Sequence, residues 1–119
     1  MAATWNVDLA LAEGEAYGDE DLVNGVCGTY GPGMNTHRSA FGGRAAEYYS
    51  EDGLLAGKMG ESMITGLQSK GIYVYAKHFA FNDQETNRSG VLIWSNEQAM
   101  REIYLRPFEV AIKEVNGEG

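Results

Sequence analysis

The chain is poor in basic residues, and this shortage excludes two classes of partner. Nine Lys and Arg residues stand against 17 Asp and Glu residues, for a formal net charge of -8 at pH 7. The acidic residues are spread along the chain and are not gathered in a tail. Nucleic acids and anionic membranes require a basic face. The composition therefore predicts neither nucleic acid nor membrane as a partner.

Cysteine and long apolar runs are also scarce. Cys27 is the single cysteine, so no intramolecular disulfide can form. Its neighbours Val23, Val26 and Tyr30 predict a small buried thiol. No run approaches the ~18 apolar residues of a membrane helix. Residues 1–6 lack a basic stretch followed by an apolar one, so we expect a soluble segment without a signal peptide, whatever the compartment of a longer parent.

Glycine, in contrast, is abundant, with 16 residues in the chain. That is roughly twice the usual share of ~7%. Several glycines cluster at positions 28, 31, 33, 42 and 43, where they allow sharp turns and a close approach of the backbone to a ligand. Gly31-Pro32-Gly33 is too short to be a phosphate-binding loop.

The hydrophobic pattern predicts five elements in the order α, β, α, β, α. We expect helices over about 4–24, 53–69 and 95–115, with short strands within 25–35 and over 72–77. Asp52 is the predicted cap of the second helix. Ser95 to Gln98 forms a capping-box pattern for the third, in which Pro107 predicts a kink or a break. Residues 116–119 are predicted to be a frayed end.

The two strands are expected to run parallel, because no hairpin signal separates them. The loops that follow parallel strands lie at one edge of the sheet, where barrel enzymes build their sites. The loop over 31–52, of which 36–52 lacks any periodic pattern, is therefore predicted to lie beside Lys77-His78. A loop of this length within a compact domain is usually functional.

Several polar side chains of these loops are candidates for ligand binding. Lys77 can donate to ligand oxygens, although a surface Lys and a hydrogen-bonded His78 explain the pattern equally simply. The guanidinium groups of Arg38 and Arg44 suit paired oxygen acceptors. Pairing of these arginines with Glu47 or Glu51 remains an alternative.

Two further patterns bear on metal binding and on acid–base chemistry. His37 and His78 lie at spacings that match no metal motif, so no metal site is predicted. Asp83 and Glu85 supply a pair of carboxylates, which glycoside hydrolysis needs. Acids separated by one residue on a loop are, however, common as solvated or structural groups, and neither is assigned a catalytic role.

Longer motifs in the chain resemble those of a known family. The resemblance rests on five segments, namely GPGMNTHR at 31–38, GGR at 42–44, EYYSED at 47–52, KHFAFNDQETNR at 77–88 and MREIYLRPFE at 100–109. Taken in this order, they resemble glycoside hydrolase family 3, in its β-glucosidase branch, over nearly the whole chain. Thr36, the pair Ala45-Ala46, and Gly53 depart from the usual pattern.

The resemblance implies an α/β fold that is part of a TIM-type barrel. A full barrel takes ~250 residues. Residues 1–119 would therefore form a single segment of an incomplete catalytic domain: about two parallel βα units of a (β/α) barrel with a preceding helix. About six strands would be missing.

The resemblance also implies a function and a site. Arg44, Lys77 and His78 would bind the sugar of a β-glucoside or glucose, and no cofactor or metal is implied. The implied function is that of a retaining β-glucosidase, which hydrolyses terminal β-D-glucosyl residues. Its nucleophile and acid/base lie on later segments, so no residue is expected to be catalytic here, and activity of the isolated chain is doubtful.

A second hypothesis comes from a different class of protein. The chain would be a stand-alone, non-catalytic module that binds carbohydrate or forms oligomers. In either case the exposed edges of the two strands would pair with the rest of a barrel or with another copy of the chain.

Overall fold

A computed structural model describes residues 1–115. Two long helices and a pair of short parallel strands are its main elements. In order, the elements are a 3-10 turn Ala2–Thr4, α1 Val7–Val23, β1 Gly28–Thr29, a 3-10 turn Ala45–Glu47, α2 Gly53–Ser69, β2 Tyr73–Val74, α3 Glu97–Ala99, a π-helical turn Met100–Tyr104, and α4 Arg106–Val115. The predicted order of elements is confirmed, except that the third helix is divided. The predicted frayed end at 116–119 lies outside the described residues.

The strands pair in parallel, as predicted. Gly28 lies opposite Tyr73, and Thr29 lies opposite Val74. An isolated parallel bridge between Gly33 and Lys77 continues the pairing toward the carboxyl ends of both strands. The described residues therefore form a partial α/β unit in which α2 is the crossover between β1 and β2.

Helix α2 lies at the centre of the packing. The carboxylate of Asp52 accepts a hydrogen bond from the backbone N–H of Leu55 at 2.7 Å, which confirms it as the cap. Met59 and Leu67, spaced at helical intervals, are fully buried. The other face of α2 meets α4, where Ile64 packs into a cluster with Phe108.

Glycines allow α1 and α2 to pack at very short range. A Cβ atom on Gly66 would lie 2.7 Å from the backbone nitrogen of Glu15, and closer still to the carbonyl oxygen of Leu11. A Cβ atom on Gly14 would meet the Cα atom of Gly66 at 3.1 Å. The two helices thus touch backbone to backbone, which requires the absence of side chains at these positions.

The prediction of a buried Cys27 is wrong, because the side chain is exposed. Its apolar neighbours Val23 and Tyr30 are 87% and 77% exposed, so they do not form a shell around the thiol. The carbonyl of Cys27 accepts a hydrogen bond from Tyr73 N at 2.9 Å, so its backbone extends the strand pair at the surface.

The predicted capping box is also wrong in its first residue. Asn96, not Ser95, caps α3, since its side-chain oxygen accepts a hydrogen bond from Ala99 N at 2.8 Å. Pro107 lies at a break in the predicted helix, one of the two predicted outcomes, since α4 begins at Arg106. It lies in the first turn of α4, where the missing N–H has no intrahelical partner to lose.

No helix in residues 1–115 combines the length and the apolar character needed to cross a membrane.

Candidate functional site

The candidate site lies where the two parallel strands end. Met34 N donates a hydrogen bond to the carbonyl of Lys77 at 2.7 Å, and Lys77 N donates to the carbonyl of Pro32 at 3.0 Å. These bonds bring the loop that follows β1 against the residues that follow β2. The predicted proximity of this loop to Lys77-His78 is therefore confirmed.

Three charged side chains of the site form one cluster around Glu47. Lys77 Nζ lies 3.0 Å from Glu47 Oε2, and Arg44 Nε donates a hydrogen bond to Glu47 Oε1. All three side chains are between 24% and 30% exposed. The alternative in which Arg44 pairs with Glu47 is confirmed, and the same pair brings Arg44 together with Lys77.

The cluster keeps its members charged. Burial acts to raise the pKa of Glu47, but the hydrogen bonds from Arg44 and Lys77 oppose it and hold the pKa below its ordinary value. The hydrogen bond to Glu47 raises the pKa of Arg44. Glu47 is therefore an anion, and Arg44 a cation, at neutral pH.

Asn35 fixes the backbone of His78. The side-chain amide of Asn35 donates to the carbonyl of His78 at 2.9 Å, and its oxygen accepts from His78 N at 2.5 Å. Asn35 is buried and His78 is half-buried, so both bonds are partly shielded from water. This two-bond clamp joins residues of the two loops that are 43 positions apart in the sequence.

Tyr48 holds the imidazole ring of His78. The phenol oxygen lies 3.2 Å from His78 Nδ1, and the two rings meet edge to face with centroids 5.9 Å apart. Burial lowers the pKa of His78 below its ordinary value, and the positive charges of Arg44 and Lys77 act in the same direction. The imidazole is therefore neutral at pH 7, with one nitrogen able to donate and one able to accept.

A chain of hydrogen bonds links Tyr48 to the second loop. Its phenol oxygen accepts from Asn82 Nδ2 at 2.9 Å, and the same amide donates to Glu85 Oε1 at 2.8 Å. Glu85 in turn pairs with Arg88 at 3.1 Å. The burial of Tyr48 raises the pKa of its phenol, so the hydroxyl keeps its proton.

The remaining candidates lie around this cluster in structural roles. His37 Nε2 lies 2.9 Å from the carbonyl oxygen of Tyr48. The guanidinium of Arg38 lies 5.8 Å from the centre of the Tyr104 ring. Burial raises the pKa of Asp83, and the charge of Arg38 opposes this.

No group of three or more His, Cys, Asp or Glu residues within 1–115 could hold a metal ion.

Lys77 and Glu47 line a cleft of about 180 Å³, which extends past Tyr30 and Gly33. Ligand pockets usually have volumes of ~300 Å³ or more, so this cleft is smaller than a typical ligand pocket.

Sequence reasoning did not single out Tyr48, Asn35 or Asn82 as members of the site. All three lie inside the motifs that carry the family resemblance, but their contacts run between loops distant in sequence. The pairing of Arg44 with Glu47 had a local signal, since the residues are three positions apart in a helical turn.

The cluster has a clear chemical character. Ammonium and guanidinium donors, a neutral imidazole and a carboxylate can together donate to and accept from hydroxyl groups. The fold and the cluster thus define a partial α/β unit with a group of hydrogen-bond donors and acceptors at the ends of its parallel strands.

Comparison with known proteins establishes the family. The model of the glycosyl hydrolase family 3 N terminal domain matches residues 1–118, and the chain belongs to this family. β-Glucosidase B of Emericella nidulans is 47% identical over 116 residues, which cover 98% of this chain and 14% of that protein. β-Glucosidase A of Butyrivibrio fibrisolvens is 45% identical over 114 residues, with coverage of 96% and 14%.

Solved structures give the same result. β-Glucosidase 3B of Thermotoga neapolitana, determined in complex with glucose, matches with a TM-score of 0.94 at 47% identity. The match covers 96% of this chain and 16% of that one. The chain therefore spans about 14% of the length of the curated relatives it matches.

Proposed function

We propose that residues 1–119 are a segment of the catalytic barrel of a retaining β-glucosidase, and that Arg44, Lys77 and His78 bind the glucosyl unit. The substrate class is terminal β-D-glucosides. The segment supplies sugar-binding residues, and the proposal assigns neither the nucleophile nor the acid/base to it.

The observation that carries the proposal is the convergence of these three side chains at the ends of two parallel strands. Lys77 and Arg44 share the carboxylate of Glu47, while Tyr48 and Asn35 fix His78. A sugar ring offers adjacent hydroxyl groups, and such a ligand needs several donors held at fixed spacing. The glucose found in the structure of the Thermotoga neapolitana relative supports this substrate class.

The roles follow from the chemistry of each group. Lys77 and Arg44 are charged donors to hydroxyl oxygens. His78, which is neutral at pH 7, can donate or accept through Nε2, since Nδ1 is engaged by Tyr48. Glu85 is held by Asn82 and Arg88, which supports leaving it outside the catalytic assignment.

The comparisons do not favour the alternative of a stand-alone, non-catalytic module. The relatives described above are β-glucosidases.

Titration of the purified protein with D-glucose, followed by NMR chemical shifts, tests the proposal. We expect saturable shifts in the wild type, and their loss in Lys77→Ala. Lys113→Ala is the matched control, because Lys113 is an exposed residue of α4 that pairs with Glu109 at the surface. Equal glucose binding by wild type and Lys77→Ala would contradict the assignment.

Turnover of an aryl β-glucoside by the same samples tests the catalytic part. We expect none in the wild type or in Lys77→Ala. Activity in the wild type that disappears in Lys77→Ala would mean that a complete catalytic site exists within residues 1–119.

A further inference from the structure

The two ring nitrogens of His78 lie in different surroundings. Nδ1 is 3.2 Å from the phenol oxygen of Tyr48. Nε2 makes no hydrogen bond within residues 1–115. It is not sealed inside either, because in this range Thr36 Oγ1 is the one buried side-chain polar atom without a partner. A neutral imidazole carries one proton, so the nitrogen that holds it decides whether Nε2 donates or accepts.

Two hydrogen bonds of Asn82 fix the direction of the bond that reaches Tyr48. The side-chain nitrogen Nδ2 lies 2.9 Å from the phenol oxygen and 2.8 Å from Glu85 Oε1. The hydrogen bond from Asn82 lowers the pKa of Glu85, so this carboxylate is ionised at neutral pH and can only accept. The amide therefore presents its nitrogen, and the phenol oxygen of Tyr48 accepts on that side.

The phenol proton of Tyr48 then has two acceptors within reach. They are His78 Nδ1 at 3.2 Å and the backbone carbonyl oxygen of Asn82 at 3.3 Å. Hydrogen bonds between two oxygens usually span ~2.5–3.0 Å, whereas those with one nitrogen reach ~3.2 Å, so the carbonyl contact is the weaker one. With a proton on Nδ1, the phenol oxygen would receive two N–H donors and give its own proton to that weaker contact. Donation from Tyr48 to Nδ1 is therefore the favoured arrangement.

We propose that Tyr48 is a positioning residue that keeps the proton of neutral His78 on Nε2, so that His78 meets a sugar hydroxyl as a hydrogen-bond donor. The second half rests on the proposed function above, and the first half concerns the protein without a ligand. Burial, helped by the charges of Arg44 and Lys77, keeps the ring neutral at pH 7. The clamp from Asn35 and the edge-to-face contact with Tyr48 hold the ring in place. With this tautomer, all three proposed sugar-binding side chains are donors.

The affinity for glucose is a weak measure of this role. When only a fraction of a protein is in its binding-competent form, the apparent affinity falls by that fraction. Loss of the bond from Tyr48 would allow both tautomers of His78, and an even mixture would weaken glucose binding by about twofold. The position of the proton changes far more than the affinity, so it is the quantity to measure.

Nitrogen NMR of the imidazole rings tests the proposal at about pH 8, above the ordinary histidine pKa of about 6.5. The chain has two histidines, so His37→Gln assigns the signals. In the wild type we expect the proton of His78 on Nε2. In Tyr48→Phe we expect the shifts of its two nitrogens to move toward each other, because both tautomers become populated. His37 is the internal control, since its Nε2 lies 2.9 Å from the backbone carbonyl of Tyr48, which the substitution leaves in place.

Two further variants separate the hydroxyl of Tyr48 from its ring. Asn82→Asp keeps the ring and offers the phenol an acceptor in place of a donor. Its proton should then turn away from His78 Nδ1, and the nitrogen shifts should move as in Tyr48→Phe. Tyr49→Phe removes the hydroxyl of the neighbouring tyrosine, and we expect wild-type shifts for His78. Circular dichroism melts show whether each variant is folded.

The spectra without ligand decide the role of Tyr48. A wild type with the proton of His78 on Nδ1 would overturn the proposal without any variant. Wild-type shifts in a folded Tyr48→Phe or Asn82→Asp, or an equal change in Tyr49→Phe, would show that Tyr48 does not set the tautomer.

Addition of saturating D-glucose decides the role of His78. We expect Nε2 to keep its proton and its shift to change. Transfer of the proton to Nδ1, or an unchanged Nε2 shift in the glucose-bound protein, would overturn the donor role while leaving the proposed function intact. A wild type that binds no glucose would overturn the proposed function and the donor role, while the control of the tautomer by Tyr48 would stand.

Discussion

Replacing Gly66 with alanine should destabilise the protein, although alanine is the better helix former. In an exposed helix, the change from Gly to Ala is worth about 1 kcal/mol of stability. Gly66, however, lies in the contact between α2 and α1. A Cβ atom there would lie 2.7 Å from Glu15 N and 2.9 Å from the carbonyl carbon of Gly14.

The magnitude follows from the kind of atoms involved. Carbon–carbon contacts are optimal at ~3.5–4.0 Å, so the new methyl group intrudes by about 1 Å. Its neighbours are backbone atoms of α1, which cannot rotate away as a side chain can. Overpacking costs typically ~1–3 kcal/mol, and the upper end applies here. Subtracting the propensity gain of about 1 kcal/mol leaves a net loss of about 2 kcal/mol.

Thermal unfolding followed by circular dichroism measures this loss. For a chain of this size, 1 kcal/mol corresponds to about 3–5 °C in Tm, so Gly66→Ala should melt about 6–10 °C below the wild type. Thr65→Ala is the control, since it adds helix propensity at the exposed neighbouring position. A Gly66→Ala protein that melts at or above the wild-type temperature would refute the argument that the helices touch through their backbones.

Further predictions concern the cap of α2 and the titration of His78. Asp52→Ala removes the acceptor for Leu55 N, and should lower the free energy of unfolding by about 1 kcal/mol in urea titrations; an unchanged midpoint would contradict this. Burial lowers the pKa of His78 from its ordinary 6.5, so the unfolded chain binds more protons between the two pKa values. Stability should therefore be intact above about pH 6.5 and fall as the pH drops below it, and His78→Gln should flatten this slope. An identical slope in His78→Gln would count against the burial argument.

Much of the fold could be predicted because its signals are local. The spacing of Met59, Met63 and Leu67 identifies the buried face of α2, and the side chain of Asp52 marks its start. The alternation of apolar and polar residues near Tyr73 predicted β2, although the predicted strand was longer than the observed one. Parallel pairing then followed from the crossover, since no hairpin signal connects the strands.

The wrong predictions concern features that depend on the three-dimensional environment of a residue and not on its neighbours in sequence. The burial of Cys27 was inferred from apolar neighbours in sequence, but those neighbours are themselves exposed. Ser95 and Asn96 are both good caps, and the choice between them depends on backbone geometry that the capping-box pattern does not encode. At Pro107 the sequence predicted a kink or a break without choosing between them, and the structure shows the break.

The sequence predicted the polar side chains at the centre of the candidate site, but not the residues that hold them in place. Arg44, Lys77 and His78 were named from the resemblance, and their convergence is confirmed, while their role toward a sugar stays a proposal. Tyr48 and Asn35 were missed because each acts on His78 from another loop. Long-range pairs of this kind have no periodic signature in a single sequence.

The clamp between Asn35 and His78 has a consequence for the order of folding. Its partners are 43 positions apart, and the contact of Tyr48 with His78 spans 30 positions. Closing a loop of this length costs chain entropy before any of these bonds can form. Helix α2 and strand β2 lie between these partners in the sequence, so we expect the crossover to form before the partners meet. On this argument the scaffold forms first, and the geometry of the candidate site is among the last features to form.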